Sequence, residues 1–171
     1  NKNGTPRNPW EIIYSGFKGK FGDGLILNMQ GDILFGNSPP SIKSSAKLSI
    51  NAKSMSGLLS KRLGEKWFSN LQKVDFTDGV VIVDISRKGK FSNNQWGNYN
   101  SNLEFKDVAF NLHNLGSTTG KLSGNANISD EKIQLQKLVG NWGESFFQID
   151  GVINQIKNET PIFDIVINSP K

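Results

Sequence analysis

The residues able to do acid–base, nucleophilic or metal chemistry in this chain are few, and their spacing does not bring them together. Cysteine is absent and His113 is the sole histidine, which removes disulfides, thiolate nucleophiles, the usual structural zinc sites and histidine metal clusters. Carboxylates stand at Asp75, Asp78, Asp84, Asp130, Glu131 and Asp150. Hydrolysis by paired acids needs two of them converging in a cleft with separated pKa values, whereas these fall at turns or on the polar side of strand-like segments. Asp75-Phe76-Thr77-Asp78-Gly79 opens like a calcium loop but lacks the alternating oxygen ligands and the terminal glutamate. No Ser-His-Asp order can be drawn around His113, and Ser117-Thr118-Thr119 between Gly116 and Gly120 lacks the spacing of a phosphate-binding loop. The expectation is a non-enzyme with no catalytic residue, no metal and no cofactor. Trp96-Gly97 and Trp142-Gly143 put indoles beside turns, where they could stack on sugars or meet a lipid interface; packing within a hairpin is the plainer reading.

The elements that must position these residues are strands. A chain of 171 residues with 36% hydrophobic residues, 20% charged residues and 18 glycines is one domain's worth, too apolar for disorder and too glycine-rich for a helical bundle. Alternation of period two is cleanest over 42–52, where Ile42, Ala46, Leu48, Ile50 and Ala52 alternate with Lys43, Lys47 and Asn51. It recurs over 121–128 and 147–154, and further strands are expected at 11–20, 24–35, 79–87, 103–112, 132–139 and 162–168. Half-exposed strands of this kind make an antiparallel sheet with one dry face. Leu103 and Phe105 are out of phase with Val108, Phe110 and Leu112, which predicts a bulge or bend near Lys106-Asp107, and Leu138 is displaced from the phase of Ile133 and Leu135. Residues 88–102, rich in Asn, Gly and Ser, read as a long connection. Met55, Leu58, Leu59, Leu63, Trp67, Phe68 and Leu71 recur at helical spacing, predicting one helix over 55–72 with a break at Gly64 that covers an end or edge of the sheet.

The net charge of +5 is spread singly along alternating segments and accompanies no recognition motif, so nucleic acid is not the expected partner. The longest aliphatic run, Val80-Val81-Ile82-Val83, is far too short to span a bilayer. The chain opens at Asn1 without a signal-peptide pattern and reads as a mature or excised piece of a longer protein, so the parent is free to carry an anchor. An internal echo joins Gly22–Ile33 to Gly143–Ile153. Each has a glycine and an acidic residue, a strand, a second glycine, then a proline and another strand, with a one-residue difference in spacing.

From about residue 42 onward the chain resembles the AsmA-like superfamily of bacterial envelope proteins, the AsmA, YhdP and TamB relatives. The resemblance lies in an alternating strand running into a leucine-rich segment at Ser45–Leu59, followed by closing hairpins at Gly120–Ile128, Lys132–Leu138, Gly143–Ile153 and Pro161–Ile167. It implies a single AsmA-like β-groove domain over 1–171: a bent antiparallel sheet forming an open, taco-like groove. It also implies a parent protein anchored in the inner membrane, projecting into the periplasm and implicated in phospholipid transport for outer-membrane biogenesis. The expected partner is a phospholipid or other acyl-chain lipid, with neighbouring segments of the same parent chain as further contacts. Membrane contact would come through the parent's anchor. Candidate groove residues are the in-phase apolar set: Leu25, Leu27, Met29, Ala46, Leu48, Ile50, Phe110, Leu112, Leu122, Ala126, Ile128, Ile133, Leu135, Phe147, Ile149, Phe163, Ile165 and Ile167. The ordinary alternative for each is a dry core. The alternative function is a β-sandwich module binding glycans or protein through the Trp-Gly turns and the 92–102 stretch.

Overall fold

The computed structural model describes residues 10–22, 24–35, 39–54, 74–92, 95–112, 118–156 and 160–169. They form nine strands: β1 Trp10–Phe21, β2 Gly24–Phe35, β3 Ser41–Asn51, β4 Val74–Ser92, β5 Gln95–Leu112, β6 Thr119–Ser129, β7 Lys132–Trp142, β8 Ser145–Asn154 and β9 Ile162–Asn168. All nine pair in chain order in one antiparallel sheet, which stays open because β1 and β9 are its two edges. Spatial neighbours are therefore sequence neighbours, joined by short connections everywhere except between β3 and β4. Among the described residues the one helical element is a 3-10 turn at Ala52–Ser54; the helix expected over 55–72 lies outside them. The two-sheet sandwich is replaced by a single sheet.

Residues 88–102 are not a long loop. β4 continues to Ser92 and β5 begins at Gln95, with Arg87 facing Tyr99 and Lys88 facing Asn98. Asn98, Asn100 and Asn102 are exposed while Gly97, Tyr99, Ser101 and Leu103 between them are at least half-buried. The alternation of a half-buried strand was present, written in residue types that also favour turns.

Two bulges correct the phase of the sheet. Asp107 (φ 47) sits at the register shift between Phe105 and Val108, and Lys137 (φ 49) at the shift between Leu135 and Leu138. Each extra residue turns its amide out of the ladder, and a side chain of the next strand satisfies it. The Asp107 N–H donates to Ser123 Oγ at 3.1 Å, and the Lys137 N–H donates to Asp150 Oδ1 at 2.7 Å. Gly124 (φ 137) lies between the two bulges, where a Cβ would come within 2.8 Å of Leu138 Cα. Bulges bend strands and increase local twist, and these two form a seam across β5, β6 and β7.

The echo corresponds to two hairpins. Gly22 and Gly143 both take positive φ at turns, and Gly31 and Gly151 both lie inside the second strand. The extra residue of the first copy is accommodated by the irregularity between Ile26 and Asn28 in β2.

A buried cluster of Ile50, Ala52, Val81, Val83, Leu103, Val108 and Ala126 draws on β3 to β6 and the 3-10 turn. These are the strands with two well-paired neighbours on either side, where β-branched and leucine side chains are most fully removed from water.

Candidate apolar binding face

Cross-strand partners in an antiparallel ladder point to the same face, so the register alone assembles the apolar surface. One row runs through Ile26, Leu48, Val83, Leu103, Ala126, Leu135, Gly151 and Ile165. The next contains Phe17, Met29, Ala46, Ile85, Ser101, Ile128, Ile133, Ile153 and Phe163. On the other side, Ile50, Val81 and Phe105 form one row, continued beyond the seam by Leu138, Ile149 and Ile167. Val108, Leu122 and Phe147 follow around Gly140, then Phe110 beside Phe76, with Leu112 facing Val74 at the end.

Sixteen of the eighteen candidate residues thus share one face, and two do not. Leu25 pairs with Ser49 and belongs with the opposite, polar face, while Leu27 falls at the β2 irregularity without a partner; both are exposed. The spacing Leu25, Leu27, Met29 imitates a continuous strand, but the extra residue puts Ile26 rather than Leu25 in register with the face that carries Met29. Sequence reasoning also missed Val81 and Val83, whose unbroken aliphatic run Val80–Val83 carries no alternation to reveal the inner face, and Ile85 beyond it.

Three aromatic rings lie across glycines of neighbouring strands. A Cβ on Gly31 would meet Tyr14 Cζ at 2.8 Å, one on Gly120 would meet Phe110 Cε1 at 2.7 Å, and one on Gly140 would meet Phe147 Cζ at 2.6 Å. The glycines provide a floor for flat rings, and Phe110 and Phe147 then meet edge-to-face with centroids 6.4 Å apart. Trp142 pairs with Gly120 and Ser145, and its indole N–H donates to the Thr118 carbonyl at 3.0 Å, so its polar tip is used within the chain. Only the backbone of Trp96 is described.

The face is covered unevenly. Val81 and Val108 are fully buried, whereas Phe17, Phe163 and Ile167 on the outer strands expose 55%, 55% and 66% of their surface.

The opposite face carries most of the charged side chains, several of them internally paired, and also exposes Ile13, Val80, Val139, Phe146, Ile162 and Val166. Lys47 and Asp84 approach to 3.5 Å, and the Asn127 amide donates to Asn102 Oδ1 at 2.6 Å and Asn100 Oδ1 at 2.9 Å. Asp150 accepts from Gln148 Nε2 at 2.6 Å and from the Lys137 N–H. The Gln148 bond first and then the Lys137 amide hold its carboxyl below the usual aspartate range, outweighing an opposing effect of burial, with the Lys137 charge contributing least. It borders a hollow of about 580 Å³ whose polar lining includes Asn125, Gln134 and Gln136. Asp130 accepts the Tyr99 N–H at 2.7 Å. These carboxylates serve the ladder in which they sit. His113 and Ser117 lie outside the described residues. Among the described residues no group of three His, Asp or Glu side chains could hold a metal ion, and no helix is long and apolar enough to cross a membrane.

No family model, curated protein or solved structure matches the chain.

Proposed function

We propose that this chain is a non-enzymatic segment of a bacterial envelope protein whose apolar face binds or conducts the acyl chains of phospholipids between the inner and outer membranes. In this reading the sheet bends about its bulge seam into an open groove in the periplasm. The parent protein supplies the inner-membrane anchor and adjoining segments of the same surface. The observation that carries the reading is the apolar row that runs from Phe17 on β1 to Phe163 on β9, broken only by Ser101, with both end residues exposed. An acyl chain lying along such rows gains about 0.8 kcal/mol for each methylene removed from water, and needs no polar partner there. The AsmA-like resemblance of residues 42–171 supports the envelope setting.

The test is site-specific photo-crosslinking in bacterial cells. A photoreactive residue at Ile149 or Ile165 should label phospholipid, and one at Asn127 on the polar face should not. Equal labelling of the two faces, or none from either apolar position, refutes the proposal.

A further inference from the structure

The apolar face is interrupted once by a polar row. Tyr14, Gly31, Ser44, Arg87 and Tyr99 are successive partners across β1 to β5. Arg87 is the only charged residue that the ladders place on this face among the described residues. A guanidinium on an apolar surface is costly unless its charge is matched, yet no carboxylate lies within ion-pair distance of Arg87 among the described residues. Its neighbour is the Tyr99 ring, with Cζ 6.0 Å from the centroid, at the outer limit of a cation–π contact. One row further in, the Ser101 hydroxyl is 1% exposed and has no hydrogen-bond partner. A cation without an anion thus stands beside a buried hydroxyl without a partner, at the margin of the rows that end in Ala46 and Ile85.

We infer that Arg87 anchors the phosphate of an acyl-chain lipid, with its hydrocarbon laid along the accessible row of Ile85, Ala46, Met29 and Phe17. The inference rests on the proposed lipid-binding face and adds the headgroup class and its position. The planar guanidinium suits phosphate because its N–H groups can meet two oxygens at once. The same row explains why an otherwise apolar surface carries Tyr14 and Ser44: both are short-range hydrogen-bonding groups flanking the charge.

Binding of dodecyl phosphate and of neutral dodecyl glucoside, each below its micelle concentration, separates headgroup from tail. The wild-type chain should bind dodecyl phosphate at least tenfold more tightly, and Arg87→Gln should abolish that preference while leaving the glucoside affinity unchanged. Arg87→Lys should retain part of the preference, and circular dichroism should show both variants folded. Equal affinity of the wild type for the two probes, or an unchanged preference in Arg87→Gln, overturns the headgroup site while leaving the lipid face intact. Competition by inorganic phosphate at the same concentration as dodecyl phosphate would make this a free-anion site and also overturns the inference. Failure of both probes to bind overturns the lipid-binding face itself.

Discussion

Gly124→Ala should be among the most damaging small substitutions in the sheet, and its cost can be worked from its surroundings. Its φ of 137 lies where side chains are strained, and a Cβ there would meet the Lys137 carbonyl oxygen at 2.5 Å and Leu138 Cα at 2.8 Å. The backbone strain contributes about 2 kcal/mol. Because the obstacles are backbone atoms of β7, β6 and β7 must also move apart, adding at least about 1 kcal/mol. Gly22 provides the control: its φ is 51, but nothing lies within 4 Å of a Cβ built there. Gly22→Ala should cost about 1 kcal/mol, the left-handed penalty partly offset by the lower entropy of the unfolded alanine chain. With a urea m-value of about 2 kcal/mol per molar, the midpoint should fall by about 1.5 M for Gly124→Ala and about 0.5 M for Gly22→Ala. Equilibrium unfolding followed by tryptophan fluorescence measures both. If Gly124→Ala costs no more than Gly22→Ala, the close approach of β6 and β7 at the seam is not a constraint, and the reasoning that ties the seam to the bend of the sheet fails.

Removing methyl groups should distinguish the two faces: Val81→Ala, at a fully buried position, should cost about 2 kcal/mol, and Val80→Ala, on the other face and 39% exposed, should stay within about 0.5 kcal/mol by thermal unfolding. Asp150 has a lowered carboxyl pKa, so its contribution to stability should be fully present above the ordinary aspartate range and lost as pH falls through the depressed value. The stability gap between wild type and Asp150→Asn should therefore close on acidification, and a constant gap across an acid titration would count against the Gln148 and Lys137 contacts. Amide hydrogen exchange should be slowest in β4 and β5 around Val81 and Leu103 and fastest in β9, whose residues are all exposed and which pairs on one side only.

Alternation made the strand plan legible wherever polar and apolar residues took turns, as over 42–52. The out-of-phase positions located both bulges as well, because Val108 and Leu138 could rejoin the dry face only if one residue were skipped. The phase of β2 was hidden because the sequence Leu25, Leu27, Met29 satisfies the period-two pattern on its own. Only pairing with β3 shows that Ile26 faces Leu48 and that Leu25 faces Ser49. The β4–β5 hairpin was hidden for a different reason: Asn98, Asn100 and Asn102 occupy the polar side of a strand, where asparagine is an unusual occupant but a workable one when cross-strand amides bond to one another. Period two puts Arg87 in phase with Val83 and Ile85, but only the ladder shows that it stands in a row with Tyr14, Gly31, Ser44 and Tyr99.

The face exists because its irregularities compensate for the sequence. A one-residue slip sends every following side chain to the other side of a strand, so if Asp107 took an ordinary place in the ladder instead of bulging, the apolar set Val108, Phe110 and Leu112 would turn outward, and if Lys137 did so, Leu138 and Trp142 would follow. A chain needing only a stable sheet could reach the same pairing with uninterrupted alternation. Here the bulges restore one continuous apolar face across the seam, each with its displaced amide satisfied from the next strand. Facial continuity across the seam therefore comes from the same residues that break the ladder. The polar positions on this face, Ser101 and the row of Tyr14, Ser44, Arg87 and Tyr99, are neighbours on β1 to β5, where the apolar rows give way to hydrogen-bonding side chains.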